Sequence, residues 1–282
     1  MATVTTDDGV KLHFVEWGSG EAIVFVHEFA GDVRSWNAQI SHFTRRYRCI
    51  AFNARGYPPS DVPLADQQYS QDRAREDIRA VLDHLGVERA HIVGHSMGAF
   101  AALHFALRYP ARARSAVLAG CGYGAHPEQR ESFRGMAAGI AELFRSEGMV
   151  EGGRKYATYP GRMSFHDTDP RGYEAFRDML CEHSAEGSAL TMLNVQRLRP
   201  SLWDMAPDMA ALETPVLVVA GDEDHPCVDA GVFLKRTLAN AGLAVVANCG
   251  HTVNSEEPAL FNAIVDDFLT RAEAGRWRAN VA

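Results

Sequence analysis

One serine in this chain lies in a pattern that could make it a nucleophile. Residues 94–98 read GHSMG; an apolar run at 90–93 precedes them and a segment of helical composition, 99–106, follows. A serine flanked by glycines two residues away, between a strand and a helix, is typical of a nucleophile elbow. Side chains at the flanking positions would collide with the strand and the helix, and such strain is kept where it presents a reactive atom. The pattern predicts Ser96 as a nucleophile.

A serine nucleophile needs a base that takes its proton and a carboxylate that orients the base. The β-branched apolar run at 214–221 predicts a buried parallel strand, and three carboxylates follow it at 222–224. His251 comes after a further short strand, and catalytic groups of open α/β sheets gather beyond strand ends. In the chain order serine, acid, histidine, we expect His251 to be the base and Asp224 the orienting acid. Asp222, closer to the strand end, is expected to bond turn amides.

Together these motifs resemble those of the α/β-hydrolase superfamily, and the resemblance covers essentially the whole chain. It includes the GHSMG pentapeptide, the GDED segment at 221–224, and the GH pair at 250–251 with the trailing Glu-Glu-Pro at 256–258. Residues 55–61 look like the family's Arg-Gly-x-Gly-x-Ser segment, and residues 24–31 look like the oxyanion loop after the third strand. Within the superfamily the chain looks most like the lid-bearing bacterial serine carboxylesterases.

The resemblance implies an α/β-hydrolase fold, with a mostly parallel sheet of the eight-stranded type, flanked by helices, and an inserted helical lid. The alternation of strands and helices in the chain is typical of a parallel sheet covered on both faces. Between residues 124 and 206 no β-rich run appears. We predict a first core half at 1–123, a lid at 124–206 and a second core half at 207–282. The last residues, 274–282, are expected to form a frayed polar tail.

The resemblance also implies two backbone N–H groups that hold the oxyanion. One belongs to Met97, the residue after the nucleophile, and the other to Phe29, two residues after the loop histidine His27. Such amides stabilise a charge that exists only in the tetrahedral state, and removing one donor typically costs about 3 kcal/mol of barrier lowering. His27 is then a structural residue that holds the loop, and not a base.

Two residues depart from the family pattern. Glu28 stands where glycine usually follows the loop histidine, and Pro58 replaces a glycine in the arginine-containing loop. Proline fixes φ at about −65° and removes a donor, so we expect that loop to be stiff. For Glu28 we favour a solvated carboxylate bonded to nearby backbone; the alternative is a carboxylate near the substrate mouth. In that alternative Glu28 is one of four candidate pocket residues, the others being His95, Tyr123 and Trp203.

Composition argues against several functional classes. The chain has 282 residues, a formal net charge of −8 and no long basic block, which argues against nucleic acid as a partner. No stretch of about 18 apolar residues occurs, so membrane insertion is not expected, and the N-terminus lacks the features of a signal peptide. Five scattered cysteines suit reduced thiols in a cytoplasm. Without Walker, GxGxxG or His-Glu-x-x-His patterns we expect neither cofactor nor metal; the oligomeric state is left open.

Our hypothesis is a serine hydrolase that cleaves carboxylic esters through an acyl-enzyme, acting on small hydrophobic or polyester-type substrates because the lid is rich in apolar residues. One alternative applies the same triad to an enol-lactone or to the carbon–carbon bond of a diketone. The hydrolases that cleave carbon–carbon bonds resemble this chain less, because they usually carry other residues at the positions of Ala30, His95 and Thr252. Hydrolysis of an enol-lactone is harder to exclude, because a lactone is itself an ester. The other alternative is a ligand receptor on a hydrolase scaffold, since a fold does not fix a function.

Overall fold

Eight strands form one sheet in the computed structural model, which describes residues 2–278. The strands are β1 (Thr3–Thr5), β2 (Lys11–Trp17), β3 (Glu21–Val26), β4 (Tyr47–Phe52), β5 (Ala90–His95), β6 (Ala113–Ala119), β7 (Val216–Gly221) and β8 (Ala241–Val246). Their order in the sheet is β1-β2-β4-β3-β5-β6-β7-β8. The pairs β1–β2 and β2–β4 are antiparallel and the other pairs are parallel. The predicted α/β-hydrolase fold with a mostly parallel eight-stranded sheet is confirmed.

Helices cover both faces of the sheet. They are α1 (Asn37–Phe43), α2 (Gln71–His84), α3 (Met97–Arg108), α4 (Arg130–Ala157), α5 (Met163–Thr168), α6 (Pro170–Cys181), α7 (Ala185–Thr191), α8 (Ala206–Ala210), α9 (His225–Thr237), α10 (Val253–Glu256) and α11 (Pro258–Glu273). Short 3₁₀ helices occur at Val33–Trp36, Asp66–Gln68, Pro127–Gln129, Pro160–Arg162 and Trp203–Met205, and a π-helix at Met192–Gln196. Within the described residues, every helix is too short or too polar to cross a membrane.

The central strands are buried on both faces, which explains their composition. Every residue of β5 and of β7 is buried, as is typical of parallel strands with nearly continuous apolar runs. On one face Ile78, Phe100 and Leu234 bring α2, α3 and α9 into one apolar cluster. On the other face Phe43 and Phe261 bring α1 and α11 into a second cluster. The sheet is thus fixed between two apolar layers that hold its strand ends in place.

The carboxyl ends of four parallel strands, β3, β5, β7 and β8, meet at one edge of the sheet. The loops and helix starts that follow these ends carry the four residues with predicted catalytic roles that are distant in the chain, namely Phe29, Ser96, Asp224 and His251. This edge is the place where open α/β sheets bind their ligands. The strand order therefore explains how residues far apart in the chain reach one site.

Between β6 and β7 the described chain forms helices and no strand. These helices share an apolar cluster with Phe29, Tyr57 and Met97 of the sheet edge. The longest of them, α4, is interrupted at Gly148, whose φ of 72° and ψ of 177° are not helical. The helical segment therefore covers the carboxyl edge of the sheet. The limits given above for a lid, residues 124–206, and for the two core halves stay a prediction.

The expectation of a frayed tail from residue 274 is wrong for the first part of that segment. Trp277 packs edge-on against Phe268, with ring centroids 4.6 Å apart, and its Nε1–H donates to Asn240 O at 3.4 Å. The indole lies against Gly242, where a side chain would collide with it. Burial of this large apolar ring orders the chain after α11. Residues 279–282 lie outside the described residues.

We expect Gly98→Ala to destabilise the fold. A methyl group at Gly98 would overlap the carbonyl of Val26, so α3 would have to move away from β3, and overpacking of this kind typically costs about 1–3 kcal/mol. The control is Gly135→Ala, because open space surrounds Gly135 in α4 and alanine favours a helix by about 1 kcal/mol over glycine. Urea unfolding should give a lower free energy of unfolding for the first variant only. Equal values for the two variants would contradict the close approach of α3.

Candidate active site

Ser96 occupies a strained turn between β5 and α3. Its φ is 51° and its ψ is −111°, and a positive φ is uncommon for a residue other than glycine. A methyl group at Gly94 would overlap the backbone of Gly98, and one at Gly98 would overlap the carbonyl of Val26. The two glycines therefore permit the close approach of strand and helix that this turn requires.

Three side chains form a hydrogen-bonded chain at this edge. Ser96 Oγ lies 2.9 Å from Nε2 of His251, and Nδ1 of His251 lies 2.7 Å from Oδ2 of Asp224. All three residues are buried. Burial raises the pKa of Asp224, but the attraction and the hydrogen bond of His251 outweigh burial, so the pKa of Asp224 lies below its usual value. The carboxylate therefore stays ionised and binds Nδ1–H, which leaves Nε2 able to accept the serine proton.

Two further carboxylates hold the loops around these residues. Asp222 Oδ1 accepts a hydrogen bond from the amide of Cys249 at 3.2 Å, which is the bond to a turn amide that we expected. Glu256 accepts from the amides of Gly250 at 2.8 Å and Thr252 at 2.9 Å, the residues on either side of the histidine. This role of Glu256 was not predicted. The sequence indicates it only by the Glu-Glu-Pro segment at 256–258, which follows the Gly-His pair at 250–251.

The two amides predicted to bind the oxyanion lie beside the serine. Met97 is the first residue of α3, and Phe29 lines the cavity next to Ser96. Neither amide donates a hydrogen bond to another described residue. The first N–H groups of a helix have no partner within the helix, which accounts for Met97. Both amides are thus free to bind a ligand oxygen, and their part in catalysis stays a prediction.

His27 holds the oxyanion loop. Its Nδ1–H donates to Glu28 O at 2.6 Å, and its Nε2 accepts from the amide of Ala54 at 3.0 Å. Burial lowers the pKa of His27 to about 4, so the ring is neutral at neutral pH. Because the backbone engages both ring nitrogens, His27 is structural, as the resemblance implied, and cannot act as a base.

Glu28 is buried, which corrects the expectation of a solvated side chain. Arg162 donates two hydrogen bonds to its carboxylate, at 3.0 Å to Oε1 and 2.5 Å to Oε2. The side chains of Glu28 and Arg162 are 3% and 5% exposed. Burial raises the pKa of Glu28, but the charge of Arg162 outweighs burial and holds the pKa well below its usual value. The two residues are 134 positions apart, so no local pattern could reveal the pair.

The other candidate pocket residues occupy three different places. Tyr123 lines the cavity with its ring edge-on to His251, at 5.1 Å between centroids. His95 lies behind the histidine, with Nε2 2.7 Å from His251 O, and supports it without lining the cavity. Trp203 is not a pocket residue, which corrects that expectation. Its ring stacks on Phe233 of α9 at 3.9 Å between centroids, where a large aromatic surface is buried against another ring.

A cavity of about 280 Å³ opens beside Ser96. Its wall is mainly apolar and aromatic and comes from the oxyanion loop and from the helices between β6 and β7; among its residues are Phe29, Phe133, Ile140, Tyr156, Tyr159 and Met192. Arg162 is the one guanidinium among the described residues that line the cavity, and it is already paired with Glu28. A concave apolar cavity with few polar groups is typical of a small-molecule site.

Among residues 2–278, one group of side chains could hold a metal ion. The ligand atoms of Asp224, Cys227 and His251 lie within 4.8 Å of one another. Burial raises the pKa of the Cys227 thiol well above its usual value, which disfavours the thiolate that metals bind. A metal ion here would also take the Nδ1 atom that binds Asp224. Metal binding and the serine–histidine–aspartate arrangement therefore exclude each other at these atoms.

Comparison with known proteins agrees with this fold. A family model described as alpha/beta hydrolase fold matches residues 21–258. The chain belongs to the α/β-hydrolase family. A solved structure of a hydrolase from Pseudomonas aeruginosa superimposes on this α/β hydrolase with a TM-score of 0.81 at 27% identity, covering 95% of this chain and 97% of the other.

Two relatives of this α/β hydrolase match over nearly their whole length. The 3-oxoadipate enol-lactonase 2 of Acinetobacter baylyi is 28% identical, over 95% of this chain and 96% of its own. The 2-hydroxy-6-oxo-6-phenylhexa-2,4-dienoate hydrolase of Comamonas testosteroni is 28% identical, over 92% of this chain and 91% of its own. These similarities support a hydrolase and leave open which bond it cleaves.

We expect Asp224→Asn to lower kcat by about 10⁴-fold without unfolding the protein. The amide would no longer hold the tautomer in which Nε2 accepts the serine proton, and losses of this size are known for serine–histidine–aspartate sites. Asp222→Asn is the matched control, because Asp222 binds only a turn amide; it should keep most of the turnover. The measurement is kcat for ester hydrolysis with circular dichroism as a check of folding. Similar losses in both variants would contradict the assignment of Asp224.

Proposed function

We propose that this α/β hydrolase is a serine esterase that cleaves uncharged carboxylic esters through an acyl-enzyme. One observation carries the proposal: the hydrogen-bonded chain of Asp224, His251 and Ser96 ends at the wall of an apolar cavity of about 280 Å³. A buried serine whose Oγ lies 2.9 Å from a histidine nitrogen is the arrangement that nucleophilic acyl transfer needs.

In the proposed reaction Ser96 Oγ attacks the carbonyl carbon of the ester while Nε2 of His251 takes the hydroxyl proton. The carbonyl oxygen becomes an alkoxide, which the amides of Phe29 and Met97 bind. The bond from the carbonyl carbon to the alcohol oxygen then breaks, and the proton on Nε2 passes to that oxygen. Water, deprotonated by the same nitrogen, attacks the acyl-serine, and the carboxylic acid leaves as the serine recovers its proton.

Two residues are proposed to position the histidine. Asp224 keeps the proton of the neutral ring on Nδ1 and stabilises the imidazolium that forms during each transfer. His95 binds the backbone oxygen of His251 at 2.7 Å. Burial lowers the pKa of His95 to about 4, so at neutral pH this ring adds no positive charge that would oppose the imidazolium.

The cavity favours a small hydrophobic substrate. Side chains such as Phe133, Ile140 and Met192 offer apolar surface to an acyl or alkyl group. A volume of about 280 Å³ lies just below the range for ligand pockets, roughly 300–1,000 Å³. Short chains therefore fit the cavity better than long ones, and of a polyester only the chain end would enter.

A second candidate function is hydrolysis of an enol-lactone, or of the carbon–carbon bond of a diketone, by the same three residues. The relatives favour it, since one is named an enol-lactonase and the other a dienoate hydrolase. The words adipate and dienoate in those names denote carboxylates, and a carboxylate needs free cationic or N–H donors in its cavity. In this chain Arg162 already binds Glu28. That pair supports the uncharged ester over the second candidate.

The third candidate, a receptor without turnover, has less support. Catalysis uses the free amides of Phe29 and Met97 and the 2.9 Å contact between Ser96 and His251, whereas ligand binding alone requires neither. The cytoplasmic location stays part of the proposal. It is supported by the cysteines, which are free thiols in the described chain, as is usual in a reducing compartment.

We expect the wild type to hydrolyse 4-nitrophenyl acetate and butyrate faster than the octanoate, because the cavity is small. Ser96→Ala should lower turnover by about 10³-fold or more, since the nucleophile is gone. Ser115→Ala is the control: this buried serine of β6 binds His91 at 2.8 Å, away from the cavity, and its loss should leave turnover intact. Nitrophenolate release, with its initial burst, is the measurement.

A folded wild type that cleaves none of these esters would contradict the esterase proposal, as would full activity in Ser96→Ala. The same variants would then be tested on an enol-lactone and on a ring-cleavage diketone. Turnover of either that depends on Ser96 would favour the second candidate, and binding without turnover would favour a receptor.

A further inference from the structure

The pair formed by Glu28 and Arg162 joins the two walls of the cavity. Glu28 lies in the oxyanion loop after β3, and Arg162 ends the 3₁₀ helix Pro160–Arg162 in the helical segment. Arg162 lines the cavity next to Ser96. The pair is therefore the place where a charge could act on a bound substrate.

Glu28 occupies the edge of the Arg162 guanidinium that Nη1 and Nη2 form, since both atoms donate to its carboxylate. Rings cover the guanidinium as well, with Arg162 Cζ at 5.3 Å from the centroid of Tyr156 and 4.9 Å from that of Phe176. A guanidinium with free N–H groups would bind a carboxylate in two parallel hydrogen bonds. Here a residue of the protein itself fills that site.

The carboxylate of Glu28 also affects which ligand charge the site beside Arg162 can accept. Apart from Arg162, the basic side chain within 4.0 Å of Glu28 among the described residues is His95, through its Nδ1 atom. His95 is neutral at neutral pH because burial lowers its pKa to about 4. The pair thus has no net charge. A second carboxylate brought beside it would have to share Arg162 with Glu28, and two carboxylates in one buried site repel each other.

We propose that Glu28 determines the substrate class of this site: by filling the guanidinium of Arg162 it admits uncharged acyl groups and rejects acyl groups that carry a carboxylate. The proposal rests on the ester hydrolysis proposed above and narrows its substrates. With glycine at position 28, as the hydrolase pattern usually has, Arg162 would have no carboxylate partner among the described residues. A single residue would then separate a site for neutral acyl groups from one for anionic acyl groups.

The test compares two methyl esters of nearly equal shape, methyl 4-methylpentanoate and monomethyl succinate, which differ by a carboxylate in place of an isopropyl group. The measured quantity is the ratio of kcat/KM for the neutral ester to that for the anionic ester, from methanol release. We expect the wild type to favour the neutral ester. Glu28→Gln should lower the ratio by about 10- to 100-fold, as typical hydrogen bonds to a charged group would give.

Arg162→Gln should not lower the ratio. It removes the guanidinium that would attract the anionic ester, and Glu28 offers no attraction for a second carboxylate whether it is ionised or, without its cationic partner, protonated. The double variant Glu28→Gln/Arg162→Gln also lacks the guanidinium and should return the ratio towards the wild-type value. A fall in Glu28→Gln alone identifies a charge effect of Arg162, because a merely structural role would move both single variants in the same direction.

Asp77→Asn is the matched control. It removes a carboxylate from the buried pair of Asp77 with Arg55, which lie 2.6 Å apart with exposed fractions of 2% and 4%. Neither residue lines the cavity. The variant can lower stability but should leave the ester ratio unchanged. Circular dichroism and thermal unfolding would show that each variant is folded, and if Glu28→Gln is not, Glu28→Gly, which introduces the residue usual in the hydrolase pattern, takes its place in the test.

A binding measurement keeps the test independent of turnover. In the Ser96→Ala background, ligand-observed NMR should detect the neutral ester bound more tightly than the anionic ester, and adding Glu28→Gln should remove that preference. If the wild type cleaves neither ester but this binding pattern holds, the esterase proposal fails and the role of Glu28 stands. An unchanged ratio in the Glu28 variant, a fall of the same size in Arg162→Gln, or a wild type that prefers monomethyl succinate would overturn the proposal.

Discussion

The positive φ of Ser96 is the constraint on which the site depends. A serine keeps a φ of 51° only where the surrounding backbone over-determines it. Here β5 leads into α3 through a turn that Gly94 and Gly98 allow to pass close against β3. The same close approach brings the free amide of Met97 beside the loop of Phe29. The geometry of Ser96 and that of the two amides proposed to bind the oxyanion are therefore a single structural feature, and a change that relaxes the turn alters both.

The helical segment above the sheet is tied to the same loops. The amide of His251 donates to Gly161 O at 3.0 Å, and the next residue, Arg162, binds Glu28 in the oxyanion loop. Breaking a buried ion pair by removing one partner typically costs about 3–5 kcal/mol, so this contact is a strong link between the segment and the sheet edge. The wall of the cavity and the loops of Glu28 and His251 are thus held by common contacts.

Patterns that are local in the chain predicted the fold, the serine turn and, through three separate motifs, the meeting of Ser96, Asp224 and His251. Contacts between distant segments that no motif marks were not predictable. The apolar periodicity of strands and helices relates residues that are close together in the chain, as does the spacing of the glycines around Ser96. Such patterns are therefore visible in the sequence. The burial of Glu28 depends on Arg162, which is 134 positions away, and a lone glutamate is usually exposed. The prediction of Trp203 as a pocket residue was wrong for a similar reason. An aromatic residue near a cavity can face the cavity or the protein core, and Trp203 instead stacks on Phe233.

Stability alone does not explain a buried ion pair in the wall of this cavity. Taking each charge out of water costs several kcal/mol, and apolar side chains of the same volume often stabilise a protein as well or better. For the ester hydrolysis proposed above, the pair has a use. The acid product is a carboxylate at neutral pH, and a free guanidinium beside Ser96 would retain it through two charge-assisted hydrogen bonds. With Arg162 already bound to Glu28, the product meets a wall without net charge, so release of the acid does not have to break a strong ion pair.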